Sequence, residues 1–129
     1  MQDSVDSRQF TKGHVWAEID SDNQEAVLGL SSFLVEQLPE IVSIDLPEVS
    51  DEIEVGAICM HFHLGERILH VRAPLTGRVI EVNKEVLDNC SLIHLDPDKY
   101  WLIKMEFDNE DELDLLMDAR QYAEYIEAK

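Results

Sequence analysis

The sequence predicts a mainly β protein with short helices, arranged as a small barrel or sandwich with a C-terminal helix. Three observations predict this: short apolar runs recur between turn residues, one strand-turn-strand segment occurs twice, and the final segment has helical periodicity. With 129 residues, of which 45% are hydrophobic, the chain can bury a single core. We expect a polar tail over residues 1–9 and one domain over residues 10–129.

Several short segments have the composition and periodicity of strands. In residues 15–20, for example, apolar and polar side chains alternate as they do in a half-buried strand. The other predicted strands are residues 26–30, 41–46, 52–55, 58–63, 68–72, 79–82 and 101–107. Frequent short strands of this kind are typical of small barrels and sandwiches.

Two helices are predicted from their capping residues. Ser31 can cap a helix that Pro39 ends after little more than one or two turns. Residues 108–112 are a run of charged and polar residues, which we interpret as a solvated link. Beyond this run, Asp118 and Gln121 have the spacing of a capping box. Three side chains then fall on one face of the predicted C-terminal helix: Tyr122, Tyr125 and Ile126.

An internal repeat relates residues 44–55 to residues 71–82. The two segments share a proline, Pro47 or Pro74, the apolar positions and an Ile-Glu-Val ending. Two such segments can fold as interlocking half-motifs, because neither has enough core alone, although chance similarity between two strand-turn-strand units is the alternative. This pairing places residues 60–70 between the halves, where we expect a protruding hairpin.

The charge balance limits the possible partners. The chain has 28 acidic and 10 basic residues and a formal net charge of −18, which disfavours nucleic acid and anionic membrane surfaces. Charged protein partners should therefore be basic, or the acidity serves only to keep a monomeric protein in solution. No secretory signal and no apolar run of about 20 residues is visible. Cys59 and Cys90 are expected to be free thiols, and the cytoplasm is the expected location.

Cysteine and histidine residues offer a candidate metal site on the predicted hairpin. Cys59, His61 and His63 alternate along one strand, and His70 lies on the neighbouring one, so a thiolate and three imidazoles could hold zinc. The spacing is not a standard zinc signature, and isolated cysteines and histidines on strands commonly serve the fold. We therefore predict no metal site and keep these four residues as candidates.

Motifs in seven stretches of the chain resemble the glycine cleavage system H protein family. They occur in the family's order and spacing between Phe10 and Ile126: FTKGHVW at 10–16, GL at 29–30, EQL at 36–38, IVSIDLPEV at 41–49, APLTGRVIEVN at 73–83, DP at 96–97 and WLIK at 101–104. The resemblance implies a barrel-sandwich hybrid, the lipoyl-domain core with added helices. It also implies a carrier rather than an enzyme, and we predict no catalytic residue.

In the family, a lysine on a hairpin carries a lipoyl arm between the decarboxylase, the aminomethyltransferase and the dihydrolipoyl dehydrogenase of glycine breakdown. No lysine occurs between Lys12 and Lys84 of this chain. Counting back from Pro74 as in the family's hairpin places Glu66 at the lysine position. A carboxylate offers no amine for acylation, and the guanidinium of Arg67 stays protonated. We therefore expect no lipoate and no other cofactor.

These observations predict an H-protein-like module that has no lipoylation site and that binds other proteins. We expect the partner-binding residues to be those of the altered hairpin: His63, Leu64, Gly65, Glu66 and Arg67. The expected partners are proteins, among them lipoate-dependent or glycine-cleavage enzymes, and the expected state is a monomer. Two alternatives stay open: a working carrier with an atypical modification site, and a small metal-binding protein that uses the Cys/His hairpin.

Overall fold

The computed structural model of the protein describes residues 8–128. In this part of the chain, two antiparallel sheets surround one cluster of buried apolar side chains. The strands are β1 (Arg8–Phe10), β2 (Val15–Asp20), β3 (Glu25–Leu30), β4 (Ser43–Asp45), β5 (Glu52–Ile53), β6 (Ile58–His63), β7 (Ile68–Arg72), β8 (Gly77–Val82) and β9 (Ile103–Phe107). One sheet has the order β1-β2-β3-β9-β8-β5, and the other has the order β4-β6-β7.

Short helices connect and close the sheets. They are α1 (Ser32–Val35), α2 (Lys84–Asp88), α3 (Ser91–Leu95), a 3-10 helix (Glu110–Leu115) and α4 (Ala119–Glu127). The hydroxyl of Ser31 caps α1 by accepting a hydrogen bond from the backbone N–H of Leu34. At α4, the side chains of Asp118 and Gln121 each accept a hydrogen bond from the other residue's backbone N–H. The predicted capping box is therefore confirmed.

The internal repeat folds as two interlocked halves. Each repeat contributes its first strand, β4 or β7, to the three-stranded sheet, where both flank β6. Each contributes its second strand, β5 or β8, to the six-stranded sheet, where the two second strands pair with each other. Pro47 and Pro74 lie in the turns at which the chain passes from one sheet to the other. The hairpin between the repeats consists of β6 and β7, as the sequence predicts.

The end of the predicted polar tail differs from the structure. Arg8 and Gln9 belong to β1, which pairs with β2. The guanidinium of Arg8 lies 3.7 Å from the centre of the Trp16 ring, and its Nη2 donates a hydrogen bond of 2.7 Å to the backbone carbonyl of Asp98. A charged residue that packs on tryptophan and satisfies its donors can be buried in this way. Residues 1–7 of the predicted tail lie outside the described residues.

The prediction of a solvated link over residues 108–112 was wrong for residues 110–112, which belong to the 3-10 helix. Asn109 caps the 3-10 helix by accepting a hydrogen bond from the backbone N–H of Asp111. Glu112, in the same helix, is partly buried and binds Thr76. The run of acidic residues is thus a structural element that packs on the turn before β8. The sequence also missed α2 and α3.

The C-terminal helix is attached to the first hairpin through Tyr122. The ring of Tyr122 stacks on the ring of Phe10, with 4.4 Å between the centroids and 6° between the planes. Its hydroxyl lies 2.7 Å from the Ser31 hydroxyl and 2.8 Å from Nδ1 of His14. These contacts hold α4 on β1 and on the residues that flank the hairpin of β2 and β3.

Candidate functional site: the hairpin between the repeats

The turn of the hairpin is short and exposed at its apex. The backbone N–H of Leu64 donates a hydrogen bond of 2.9 Å to the carbonyl of Arg67, which closes the turn. Gly65 has a φ of +92°, a conformation that L side chains rarely adopt and that glycine adopts without strain. Gly65, Glu66 and Arg67 are exposed, whereas Leu64 is buried. The structure therefore presents Gly65 and Glu66 at the apex of the turn.

The inner face of the hairpin anchors it to the core. Met60 and Phe62 on β6 have no exposed surface, and Val71 on β7 is also buried. Ile44 on β4 lies opposite Phe62 and extends the buried row across the sheet. Burial of a large apolar side chain stabilises a fold by about 1.5–3 kcal/mol, so the hairpin stem is firmly held while its apex projects.

The outer face of the hairpin carries histidines. We define this outer face by its exposed or half-buried residues: Asp45, His61, His63, Ile68 and His70. His61 lies opposite His70 in the strand register, and their ring centroids are 5.0 Å apart. Nε2 of His63 lies 2.7 Å from Oδ2 of Asp45, a diagonal neighbour on β4. Ile68 is 48% exposed next to the turn, so the face combines apolar and ionisable groups.

Cys59 lies in a β-bulge, which turns its side chain away from the face that carries the histidines. Ile58 pairs with Arg72 and Met60 pairs with Val71, so Cys59 is the extra residue on β6. The bulge breaks the predicted alternation, and Cys59 packs against the core. Burial raises the pKa of its thiol from 9.0 to about 11. A thiol held in its neutral form is a poor metal ligand, because the thiolate is the form that binds.

The structure therefore does not assemble the four-residue zinc site considered for Cys59, His61, His63 and His70. It brings His61 and His70 together, pairs His63 with Asp45 and turns Cys59 inward. Within residues 8–128, no three or more His, Cys, Asp or Glu side chains form a group that could hold a metal ion.

A groove lies between the end of β7 and the loop that joins β1 to β2. It has a volume of about 240 Å³ and is lined by Thr11, Gly13, His70, Val71, Arg72 and Ala73. Nη1 of Arg72 donates a hydrogen bond of 2.7 Å to the carbonyl of Gly56, which holds the arginine beside the groove. His70 thus lines this groove and also belongs to the outer face.

Sequence reasoning missed Asp45 as part of the site. Asp45 precedes β6 by more than ten residues, and only the pairing of β4 with β6 brings it to His61 and His63. The internal repeat was the signal that could have found it, since it aligns Asp45 with Arg72, another outer residue of the same sheet. Register between the strands, which the repeat leaves open, decides the contact.

Comparison with known proteins identifies the family of this fold and hairpin. The sequence model of the glycine cleavage H-protein family matches residues 8–129. The chain belongs to this family. It is 36% identical over 118 residues to the probable glycine cleavage system H protein of Thermococcus kodakarensis, covering 91% of this chain and 87% of that protein. It is 35% identical over 119 residues to the glycine cleavage system H protein of Thermotoga maritima, covering 92% and 94%.

A solved H protein has the same architecture. The crystal structure of a glycine cleavage system H protein from Mycobacterium marinum matches with a TM-score of 0.81 and 26% identity, covering 93% of this chain and 96% of that one. The predicted class, a mainly β barrel-sandwich hybrid with a C-terminal helix, is therefore confirmed. H proteins are lipoyl carriers rather than catalysts, and they interact with the enzymes of glycine cleavage.

Lipoate is joined to H proteins as an amide of a lysine, and the hairpin of this chain contains no lysine over residues 58–72. The lysines on either side of the gap, Lys12 and Lys84, lie outside β6 and β7 and are exposed. No helix in residues 8–128 is long and apolar enough to span a membrane.

Proposed function

We propose that this chain is a non-lipoylated H-protein-like module that binds other proteins through its hairpin and its acidic surface. The observation that carries the proposal is the exposed carboxylate of Glu66 at the apex of a turn in a family whose hairpin carries lipoyl-lysine. The carboxylate has no nucleophilic nitrogen, and the neighbouring Arg67 guanidinium is a poor acyl acceptor because it stays protonated. The turn can therefore be recognised by a protein but cannot carry the arm.

The retained shape of the hairpin supports a binding role. Leu64 is buried under the turn, its backbone N–H closes the turn, and Gly65 has the positive φ that the turn requires. Two apolar side chains near the turn are exposed, Ile68 to 48% and Val42 to 64%. The backbone N–H of Val42 donates a hydrogen bond to the carbonyl of His63, which places Val42 next to the turn. Exposed apolar side chains beside a hydrogen-bonded turn suit a small contact surface.

The charge of the chain supports a partner with a basic surface. The formal net charge is −18, so association with a basic partner would be accelerated at low ionic strength and weakened by salt. The enzymes of glycine cleavage and other lipoate-dependent enzymes are the partners that we propose, since they recognise the fold to which this chain belongs.

A working carrier is the second candidate, and it is favoured by the similarity to ordinary H proteins along almost the whole chain. Such a carrier would need a modification site outside the hairpin, at a lysine such as Lys12 or Lys84. Intact mass spectrometry of the protein purified from its native cells separates the two functions. We expect the unmodified mass; an added lipoyl group, located by peptide mapping, would contradict the proposal.

Binding to purified glycine-cleavage enzymes from the same organism tests the interaction directly. The variant Glu66→Ala/Arg67→Ala removes one acid and one base from the turn, and we expect it to weaken binding about tenfold or more. The matched control is Arg120→Ala/Glu124→Ala, which removes an exposed ion pair from α4 and should leave affinity unchanged. Equal affinities of the two variants, or no binding by the wild type, would contradict the proposed interface.

A further inference from the structure

The histidine pair on the outer face has a geometry that the docking role does not use. His61 and His70 are directly opposite each other on β6 and β7, and their rings lie 5.0 Å apart at 80°. From this arrangement we propose that His61 and His70 form a two-histidine chelating site for a divalent late transition-metal ion. The site goes beyond the proposed function, since it needs no protein partner.

The separation of the rings agrees with a shared ion. A metal on the lone-pair axis of an imidazole nitrogen at about 2.0–2.1 Å lies about 3.2 Å from the ring centre. Two rings bound at a nitrogen-metal-nitrogen angle of about 90–110° therefore have centres about 4.5–5.2 Å apart. The observed 5.0 Å falls in this interval. The strand register fixes the two backbones, so rotation of the side chains is the only adjustment required.

The neighbouring groups define a site with two protein ligands. Cys59 packs against the core, and His63 is engaged by Asp45 at 2.7 Å. Asp45 is also the register partner of His61 on β4, so the outer face carries a row of Asp45, His61 and His70 across three strands.

The ligand set selects the class of ion. Imidazole nitrogen suits Cu²⁺, Ni²⁺ and Zn²⁺, whereas Mg²⁺ and Ca²⁺ prefer oxygen ligands. His61 is half-buried and His70 is exposed, so the remaining coordination positions face solvent and are filled by water. The net charge of −18 raises the local concentration of cations around the chain. Affinity should follow the order in which Cu²⁺ binds more tightly than Ni²⁺ or Zn²⁺.

Isothermal titration of the full-length, chelator-treated protein with CuCl₂ and NiCl₂ tests the site. We expect one ion per chain, and we expect His61→Ala and His70→Ala each to weaken binding about tenfold or more. The matched control is His94→Ala, which removes an exposed histidine of α3 and should leave binding unchanged. His63→Ala should also retain binding, because His63 is not one of the two ligands.

Two further measurements keep the proposal testable if a variant is destabilised. His70→Gln keeps a polar side chain at an exposed position, so its circular dichroism should match the wild type while metal affinity falls. The electron paramagnetic resonance spectrum of the Cu²⁺ complex should show coupling to two imidazole nitrogens, and to one in His70→Gln. Absence of binding by the wild type, binding that persists in His61→Ala/His70→Ala, or loss of binding in His63→Ala would overturn the proposal.

Discussion

The carboxylate of Glu112 accepts two hydrogen bonds from Thr76, one from the backbone N–H and one from the hydroxyl, each 2.8 Å long. The same hydroxyl oxygen accepts a hydrogen bond of 3.0 Å from the backbone N–H of Val55. Thr76 lies in the turn between β7 and β8, and Val55 follows β5. The 3-10 helix is therefore hydrogen-bonded to the turn between β7 and β8, which is in turn bonded to the turn between β5 and β6. These two turns are at the base of the β6–β7 hairpin.

Replacement of Glu112 by alanine should lower the free energy of unfolding by about 1–3 kcal/mol, because two hydrogen bonds to a charged acceptor are lost. Chemical denaturation with urea measures the change. Asp114→Ala is the matched control, since it removes an exposed acidic residue from the same helix and should change stability by less than about 0.5 kcal/mol. Equal losses for the two variants would show that the contact with Thr76 does not stabilise the fold.

This contact also illustrates which structural features could not be predicted from the sequence. Strands β2, β6 and β7 were predicted with their observed bounds, because period-two alternation and flanking turn residues mark half-buried strands locally. Residues 108–112 carry charge without periodicity, and their structure depends on Thr76, more than 30 positions away. Helices α2 and α3 have five residues each, too few to show a helical period.

Some features of the hairpin were predicted from the sequence and others were not. Its strands and the glycine of its turn follow from local rules, and the structure agrees with both. The position of Cys59 does not follow, because the bulge exists only in the register between β6 and β7. The partner of His63 was missed for the same reason, since β4 brings Asp45 to it through pairing rather than through sequence proximity.

Gly29 should not tolerate a side chain, because a Cβ at this position would overlap the ring of Trp16. The ring is 1% exposed, and its Nε1 donates a hydrogen bond of 3.1 Å to the carbonyl of Pro97, so it cannot move away easily. We expect Gly29→Ala to lower the free energy of unfolding by about 1–3 kcal/mol and to alter tryptophan fluorescence. In the control Gly13→Ala, the new Cβ would lie 3.6 Å from Oγ1 of Thr11, an ordinary contact, so stability should change little.

The two thiols should differ in reactivity. The pKa of Cys59 is raised to about 11 by burial, so about 0.1% of it is thiolate at pH 8. Burial raises the pKa of Cys90 as well, but this residue lies between α2 and α3, outside the core sheets. We expect iodoacetamide to alkylate Cys90 about tenfold or more faster than Cys59. The rates are measured separately in Cys59→Ala and Cys90→Ala, and equal rates would contradict the inward position of Cys59.

The same pKa shift predicts a dependence of stability on pH. The unfolded chain releases the Cys59 proton near pH 9.0, while the folded protein keeps it until about pH 11. The folded state therefore binds more protons than the unfolded state in this interval. The stability that the neutral thiol of Cys59 contributes is fully present below pH 9 and is lost as the pH rises through 11. Urea denaturation between pH 8 and pH 11 should show a smaller decline for Cys59→Ala than for the wild type. A parallel decline would exclude Cys59 as the titrating group.

The position of Glu66 can be tested by restoring an amine. If Glu66 occupies the place of the family's lipoyl-lysine, Glu66→Lys puts an amine at the apex of a turn that Gly65 and the bond from Leu64 to Arg67 already shape. We expect this variant, incubated with a lipoate ligase, lipoate and ATP, to gain one lipoyl group in intact mass spectra. Arg67→Lys places an amine one residue later, where we expect little modification, and Glu66→Gln removes the charge without adding an amine. Modification of the wild type, or equal modification of both lysine variants, would show that the apex has no special relation to the family's attachment site.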